Sequence, residues 1–242
     1  MIRQLVAPYW HIFYDLLMAG RRKKFYGTLV KPGDLCFDIG ANIGDRTSIF
    51  LALNTRVVAV EPQPACVQRL ERRFGNQITI VAKGVGAEEG YLPMHLSNAN
   101  TLSSFSEEWI NKVQQERFAQ YEWNETITVP IITLDKLIAT YGVPSFCKVD
   151  VEGFEVQVLR GLTQPLPMIS LEYTVPEAKE NLLEVIERLD SLSESMRFNY
   201  SPGESMRLAL PDYIPASDFK QLVNSPNFKK SKFGDVYAKS SQ

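Results

Sequence analysis

Lysine, aspartate and glutamate fall on alternate positions at Lys148, Asp150 and Glu152, closing the apolar run that begins at Phe146. In an extended strand alternate residues share a face, which sets the Cα atoms of Lys148 and Asp150 roughly 6.5 Å apart. A lysine within a buried strand needs a counter-charge, and Asp150 is the nearest one in sequence. Glu152 then falls at the carboxyl end of the strand, where open α/β sheets bind ligands. A carboxylate so placed can take a proton from a hydroxyl group, typically worth a factor of about 10² to 10⁴ in rate. Asp150 is the first candidate for such a base, Glu152 or Glu172 the second, and His95 a distant third. Lys148 is protonated at neutral pH, which suits orienting the carboxylate or binding a substrate oxygen. The same charges could instead form an ion pair that only tidies the strand end. Isolated histidines such as His11 and His95 are more often solvated or hydrogen-bonded groups than catalysts.

A second dense signal precedes this one. The run from Cys36 to Thr47 reads as an apolar strand turning through Gly40-Ala41-Asn42-Ile43-Gly44 into a helix, and Val57 to Val60 forms a second strand ending at Glu61. Gly40 allows a sharp turn and bare backbone for a ligand, while Gly44 lets the new helix approach the strand. The helix start offers unpaired N–H groups and a positive dipole end, suited to a carboxylate. Glu61 follows Gly40 by 21 residues, the spacing at which doubly wound folds set an acid against ribose hydroxyls. Pyrophosphate binding would need Gly-x-Gly-x-x-Gly, which this loop lacks. Asp38 and Asp45 would repel phosphates but suit a cationic sulfonium ligand carrying an ammonium group. The loop therefore reads as the nucleoside half of an S-adenosylmethionine site. An NAD-type oxidoreductase on a related fold and a non-catalytic donor-binding domain are the rival readings.

The elements that must position these residues follow a strand–helix rhythm, so the fold class is α/β with a mostly parallel sheet. Lys31-Pro32-Gly33-Asp34 is a turn before the first strand, and Pro62 and Pro64 open a helix with Val67, Leu70 and Phe74 on one face. Ile78 to Val81 is a short strand running into Gly84-Val85-Gly86. The rhythm breaks over residues 88–131, where a hairpin strand Tyr91–Leu96, a polar loop, a helix Glu107–Tyr121 and a strand Thr126–Ile132 form an insertion expected to cover the ligand end of the sheet. Pro130 assigns that last strand to an edge or bulge. Beyond it the pattern gives a helix Leu134–Tyr141, the strand with Lys148, a helix Gly153–Arg160 stopped by a left-handed Gly161, a strand Met168–Glu172 and a helix opened by Pro176. Strands near Arg197–Tyr200 and Gly234–Lys239 close the sheet.

The 242 residues, 45% hydrophobic and 22% charged, suffice for one large core and would be cramped as two. A net charge of −2 gives no basic face for nucleic acid, so a small molecule or neutral polymer is the expected partner. Cys36, Cys66 and Cys147 form no paired framework and suit a reducing, cytoplasmic compartment. Residues 1–30 read as a helical leader with Leu5, Tyr9, Ile12, Phe13, Leu16 and Leu17 at helical spacing. Its basic run Arg21-Arg22-Lys23-Lys24 comes after the apolar stretch, the reverse of a secretory signal. Such a helix more often packs on its own domain or a second subunit than on a membrane. The domain proper is expected over 31–242.

Phe37-Asp38-Ile39-Gly40-Ala41-Asn42-Ile43-Gly44, Val60-Glu61-Pro62, Thr133-Leu134-Asp135 and Lys148-Val149-Asp150-Val151-Glu152-Gly153-Phe154-Glu155 with Val158-Leu159-Arg160-Gly161 together resemble the FkbM family of S-adenosylmethionine-dependent methyltransferases. The resemblance covers about residues 33–174. It implies a Rossmann-like class I methyltransferase fold, with a seven-stranded, mostly parallel sheet and one reversed strand. It also implies methylation of hydroxyl groups on sugars or polyketide-like metabolites. Carried over by position, Asp38, Gly40, Ala41, Asn42 and Gly44 line the methionine end, with Thr47 a carboxylate contact. Glu61 holds the ribose hydroxyls, Pro62 lies beside the adenine, and Gly84 and Val85 form the adenine edge. Lys148 and Asp150 border the transferring methyl, and His95 and Glu172 are assigned to the substrate. Some oxygen methyltransferases hold magnesium, for which Asp150, Glu152 and Glu172 could supply oxygens. The sequence lacks a decisive ligand pattern, so no metal is assigned.

Overall fold

The structure, a computed structural model, describes residues 18–115 and 118–240. The apolar stripe expected from Leu5 to Leu17 lies outside the described residues. Helix α1 occupies residues 18–26, and strand β1 (Leu35–Ile39), α2 (Asp45–Ala52), β2 (Arg56–Val60), α3 (Pro64–Phe74) and β3 (Thr79–Val81) alternate after it. Next come β4 (Gly84–Val85), β5 (Gly90–Leu96), α4 (Glu107–Gln115) and β6 (Glu125–Ile132). Alternation resumes with α5 (Leu134–Tyr141), β7 (Phe146–Val149), α6 (Glu155–Arg160), β8 (Met168–Thr174) and α7 (Lys179–Leu192). The described chain ends with β9 (Met196–Pro202), α8 (Ala216–Val223), α9 (Pro226–Lys229) and β10 (Phe233–Ser240).

Seven strands form the main sheet in the order β3-β2-β1-β7-β8-β10-β9, with β10 antiparallel to both neighbours and the other pairings parallel. Every residue of β1 and β7 is buried, as expected of central parallel strands covered on both faces. Helices α5 to α8 pack one face; in α7 the buried residues Leu182, Val185, Ile186 and Leu189 fall at helical spacing. The other face carries an aromatic cluster in which Tyr26 packs on Phe50 at 5.1 Å and on Phe146 at 5.8 Å between ring centroids. Strand order reverses direction between β1 and β7. That switch point is where such sheets bind ligands. Among the described residues, no helix is long and apolar enough to cross a membrane.

Four local expectations are corrected. β6 is the middle strand of a separate three-stranded sheet, β4-β6-β5, and not an edge. Pro130 is tolerated there because β4 pairs only with Ile131 and Ile132, leaving that flank of Pro130 open. Gly161 ends α6 at φ −83°, outside the left-handed region; a Cβ there would strike the Gly86 carbonyl, so its bareness serves close packing. Helix α6 starts at Glu155 because Glu152 and Gly153 both take positive φ. Helix α7 begins at Lys179, three residues past Pro176, which lies in the preceding turn.

Candidate active site

A cavity of about 130 Å³ opens where β1, β2 and β7 end. Its floor is the turn after β1, in which Gly40 (φ 79°), Asn42 (φ 49°) and Gly44 (φ 85°) are all left-handed. A side chain on Gly40 would collide with the Asp150 carbonyl oxygen, so the two strand ends meet backbone to backbone across the switch point. Gly44 lies against Leu70 and Phe74 of α3. Its bareness thus admits the neighbouring helix, where the sequence suggested the strand.

Glu61 closes β2 and is only 2% exposed. One carboxylate oxygen accepts the Asn42 N–H at 2.7 Å and the other the Gln63 N–H at 2.8 Å. Burial pushes this carboxyl up to about 7, against the pull of both backbone bonds. Each oxygen keeps a second lone pair, so the group can still accept from a pair of hydroxyls. Pro62, Gly84 and Val85 line the same cavity, as do Gly40, Asn42, Asp150 and Glu152.

The remaining expected donor residues lie beneath this surface. Asp38 is 2% exposed and accepts the Thr47 hydroxyl at 2.6 Å, and burial raises its carboxyl above the usual range. The ligand contacts expected of Asp38 and Thr47 are therefore replaced by a contact with each other. Ala41 is buried with Leu70 and Phe74. These residues shape the turn without walling the cavity.

Lys148 is 1% exposed and does not reach the cavity. Its ammonium sits 3.1 Å from Asp150 and 2.9 Å from Asp235 on β10. Burial alone would lower its proton affinity, but the two carboxylates hold it well above the ordinary lysine value. Contact between Lys148 and a substrate oxygen is thereby excluded in this arrangement. The register pairs Lys148 with Ser170 on β8, and that small side chain lets the lysine lie across β8 toward β10. Burial pulls the Asp150 carboxyl up, yet Lys148 outweighs it and keeps the group below the usual carboxylate range. Glu172 behaves oppositely: burial, then Asp150 and Glu152, lift it well above that range. Oxygens of Asp150, Glu152 and Glu172 lie within 4.8 Å of one another, and this is the one group among the described residues that could hold a cation. Alternatively, one proton shared by the set relieves the repulsion.

His95 does not belong to this site. Strand alternation sends Met94 into the cavity and His95 to the opposite face of β5, where it meets Glu107 at 3.3 Å and Thr126 at 3.3 Å. Sequence reasoning missed Asp235, Gln63, Asn100, Ser103 and Phe105. Asp235 did carry a signal, a lone acid between glycine and valine in a strand of β-formers; the others lie in polar loop sequence without one.

A mostly parallel seven-stranded sheet with one reversed strand and a cavity at its switch point is the Rossmann-like architecture of class I methyltransferases. The profile described as "Methyltransferase FkbM domain" matches residues 38–200, and the chain belongs to that family. The hexuronic acid methyltransferase AglP of Haloferax volcanii is 28% identical over 142 residues, 57% of this chain and 53% of AglP. The match thus spans about half the length of that relative. Similar solved structures include a TehB-like SAM-dependent methyltransferase from Corynebacterium glutamicum, with TM-score 0.48, 8% identity and coverage of 99% of this chain and 100% of that one. Another is precorrin-6y C5,15-methyltransferase from Geobacter metallireducens, with TM-score 0.47, 10% identity and coverage of 91% and 86%.

Proposed function

We propose that the protein transfers a methyl group from S-adenosylmethionine to a hydroxyl oxygen of a saccharide or other small polyol. One observation carries the reading: a single cavity joins the ribose-type acid Glu61 to the wall formed by Asp150 and Glu152, with Glu172 beside them. Its lining supports that donor. Three acids and one lysine, Lys83, border it, a balance that favours a cationic ligand over a pyrophosphate. Gly40 and Asn42 of the left-handed turn border the same cavity.

The donor supplies an electrophilic methyl on a sulfonium. The chain's share is positioning, which can be worth about 7 to 11 kcal/mol, and removal of the hydroxyl proton. Lys148 holds the Asp150 carboxyl below the usual range while burial and the neighbouring acids lift Glu172 well above it, so Asp150 is the member of the pair that ionises more readily. That carboxylate accepts the acceptor's proton as the new oxygen–carbon bond forms and the methyl–sulfur bond breaks. Lys148 and Asp235 fix the Asp150 carboxylate at the cavity wall. A saccharide acceptor is supported by the hexuronic acid methyltransferase relative.

Incubating the protein with methyl-labelled S-adenosylmethionine and cell extract, then identifying labelled products by mass spectrometry, tests the reading. Label on a sugar hydroxyl supports it; label on nitrogen, carbon or nowhere rejects it. Because Lys148 already supplies a positive charge to the carboxylates, transfer is expected to persist in EDTA.

A further inference from the structure

The polar segment 97–105, between β5 and α4, has two distinct sides. On its outer side Leu102 packs with Trp109, Ile110 and Val113, and its carbonyl accepts the Trp123 indole N–H at 2.7 Å. On its inner side four hydrogen bonds reach the loops that frame the cavity. Asn100 donates its side-chain N–H to the Asn42 side-chain carbonyl at 2.8 Å, and its own backbone carbonyl accepts from the Gln63 side chain at 3.0 Å. Ser103 donates to the Gln63 side-chain carbonyl at 3.1 Å, and Ser104 to the Glu152 carbonyl at 2.6 Å. Asn42, Gln63 and Glu152 follow β1, β2 and β7 respectively, so the segment is bonded to every loop at the switch point. Asn100, Ser103 and Phe105 also line the cavity themselves, with the Phe105 ring packed against Gly84.

A cover that served only the acceptor would bond to the acidic side at Glu152. This one bonds chiefly to Asn42 and Gln63, the two residues whose backbone N–H groups hold Glu61. We infer that segment 97–105 is a clamp on the nucleoside half of the donor, with Asn100 as its latch and Phe105 as an apolar wall of the ring site. The inference rests on the proposed donor. A bound nucleoside and the clamp share the same supporting residues, so each holds the other in place, and release of the ligand requires the inner bonds to break.

The probe is S-adenosylhomocysteine, measured by calorimetry and by stopped-flow tryptophan fluorescence, since Trp109 and Trp123 both lie in the cover. Asn100→Ala is expected to weaken binding about tenfold, mostly through faster dissociation. Phe105→Leu, which keeps the packing apolar, is expected to weaken it several-fold. Thr126→Val, on the outer face, should match the wild type. In the wild-type protein the ligand should slow amide hydrogen exchange across 97–105, a readout that stands even where a variant fails to fold. Binding within twofold of wild type in folded Asn100→Ala and Phe105→Leu proteins, with Glu61→Ala defective, overturns the clamp and leaves the donor reading intact. A wild-type protein that binds no S-adenosylhomocysteine overturns both.

Discussion

Glu61 combines a fixed geometry with an unsettled charge. Burial lifts its carboxyl to about 7, so near neutral pH it is partly protonated, and only the ionised form offers all its lone pairs to a diol. Affinity for S-adenosylhomocysteine should therefore rise as pH climbs from about 6 to 8 and then level off. Glu61→Gln should weaken binding by about 10- to 100-fold, the worth of hydrogen bonds to a charged group, and flatten the pH dependence; calorimetry at three pH values checks both. An unchanged slope in the variant would assign the titration to another group. Glu61 was legible in the sequence because its role depends on spacing from Gly40 along two adjacent strands. Asp38 and Thr47 misled because a buried acid and a ligand-binding acid look alike until the partner hydroxyl, in the first turn of α2, is seen to occupy it. His95 misled for a similar reason, since strand alternation turns it toward Glu107 and Thr126, and which face of β5 meets the cavity does not show in composition.

At the scale of elements, the reversed strand β10 does more than close the sheet. It brings Asp235 within 2.9 Å of Lys148, 87 residues distant in sequence, and so completes a cluster in which one buried cation joins the buried Asp235 to Asp150 at the cavity wall. Removing the cation leaves two carboxylates unpaired. Lys148→Met should destabilise the fold by about 3 to 5 kcal/mol, and adding Asp235→Leu should recover a large part of the loss. Urea unfolding of the two single variants and the double variant gives the coupling. Independent, additive losses would mean that the cluster is not a unit. The turn after β1 makes a second test. Gly40→Ala must both tolerate φ 79° and displace the Asp150 backbone, so it should abolish S-adenosylhomocysteine binding in any protein that still folds, as judged by circular dichroism. The five core parallel strands and the glycine turn could be read from apolar runs and local chemistry. The insertion of β10 between β8 and β9 and the pairing of β4 with β6 could not, because both join segments far apart in sequence through register alone.

For the whole molecule, the ligand edge of the sheet is an accumulation of buried acids, and this shapes stability against pH. Glu61 and Glu155 are each raised from 4.5 to about 7 by burial, and Glu172 and Asp38 are raised as well. A raised carboxyl binds its proton more tightly folded than unfolded, so its contribution is fully present below pH 4.5 and is lost as pH rises through about 7. Asp150 and Glu204 are lowered, and their contribution is lost in the opposite direction, as acid protonates them below the ordinary carboxylate range. Lys148, raised, does not titrate until well above pH 10.5. The ligand-free protein should therefore be most stable near pH 5 and melt progressively lower up to pH 8, with Glu61 and Glu155 each contributing up to about 3 kcal/mol to the decline. Calorimetric scans of wild type and of a Glu61→Gln, Glu155→Gln double variant separate the terms: the variant should lose most of the slope between pH 5 and 8 while keeping its acid-side fall. A wild-type melting temperature that rises across this window would show that these carboxyls stay ionised when buried. Glu61 would then keep its charge across the neutral range, and the rise in ligand affinity expected between about pH 6 and 8 would be absent with it.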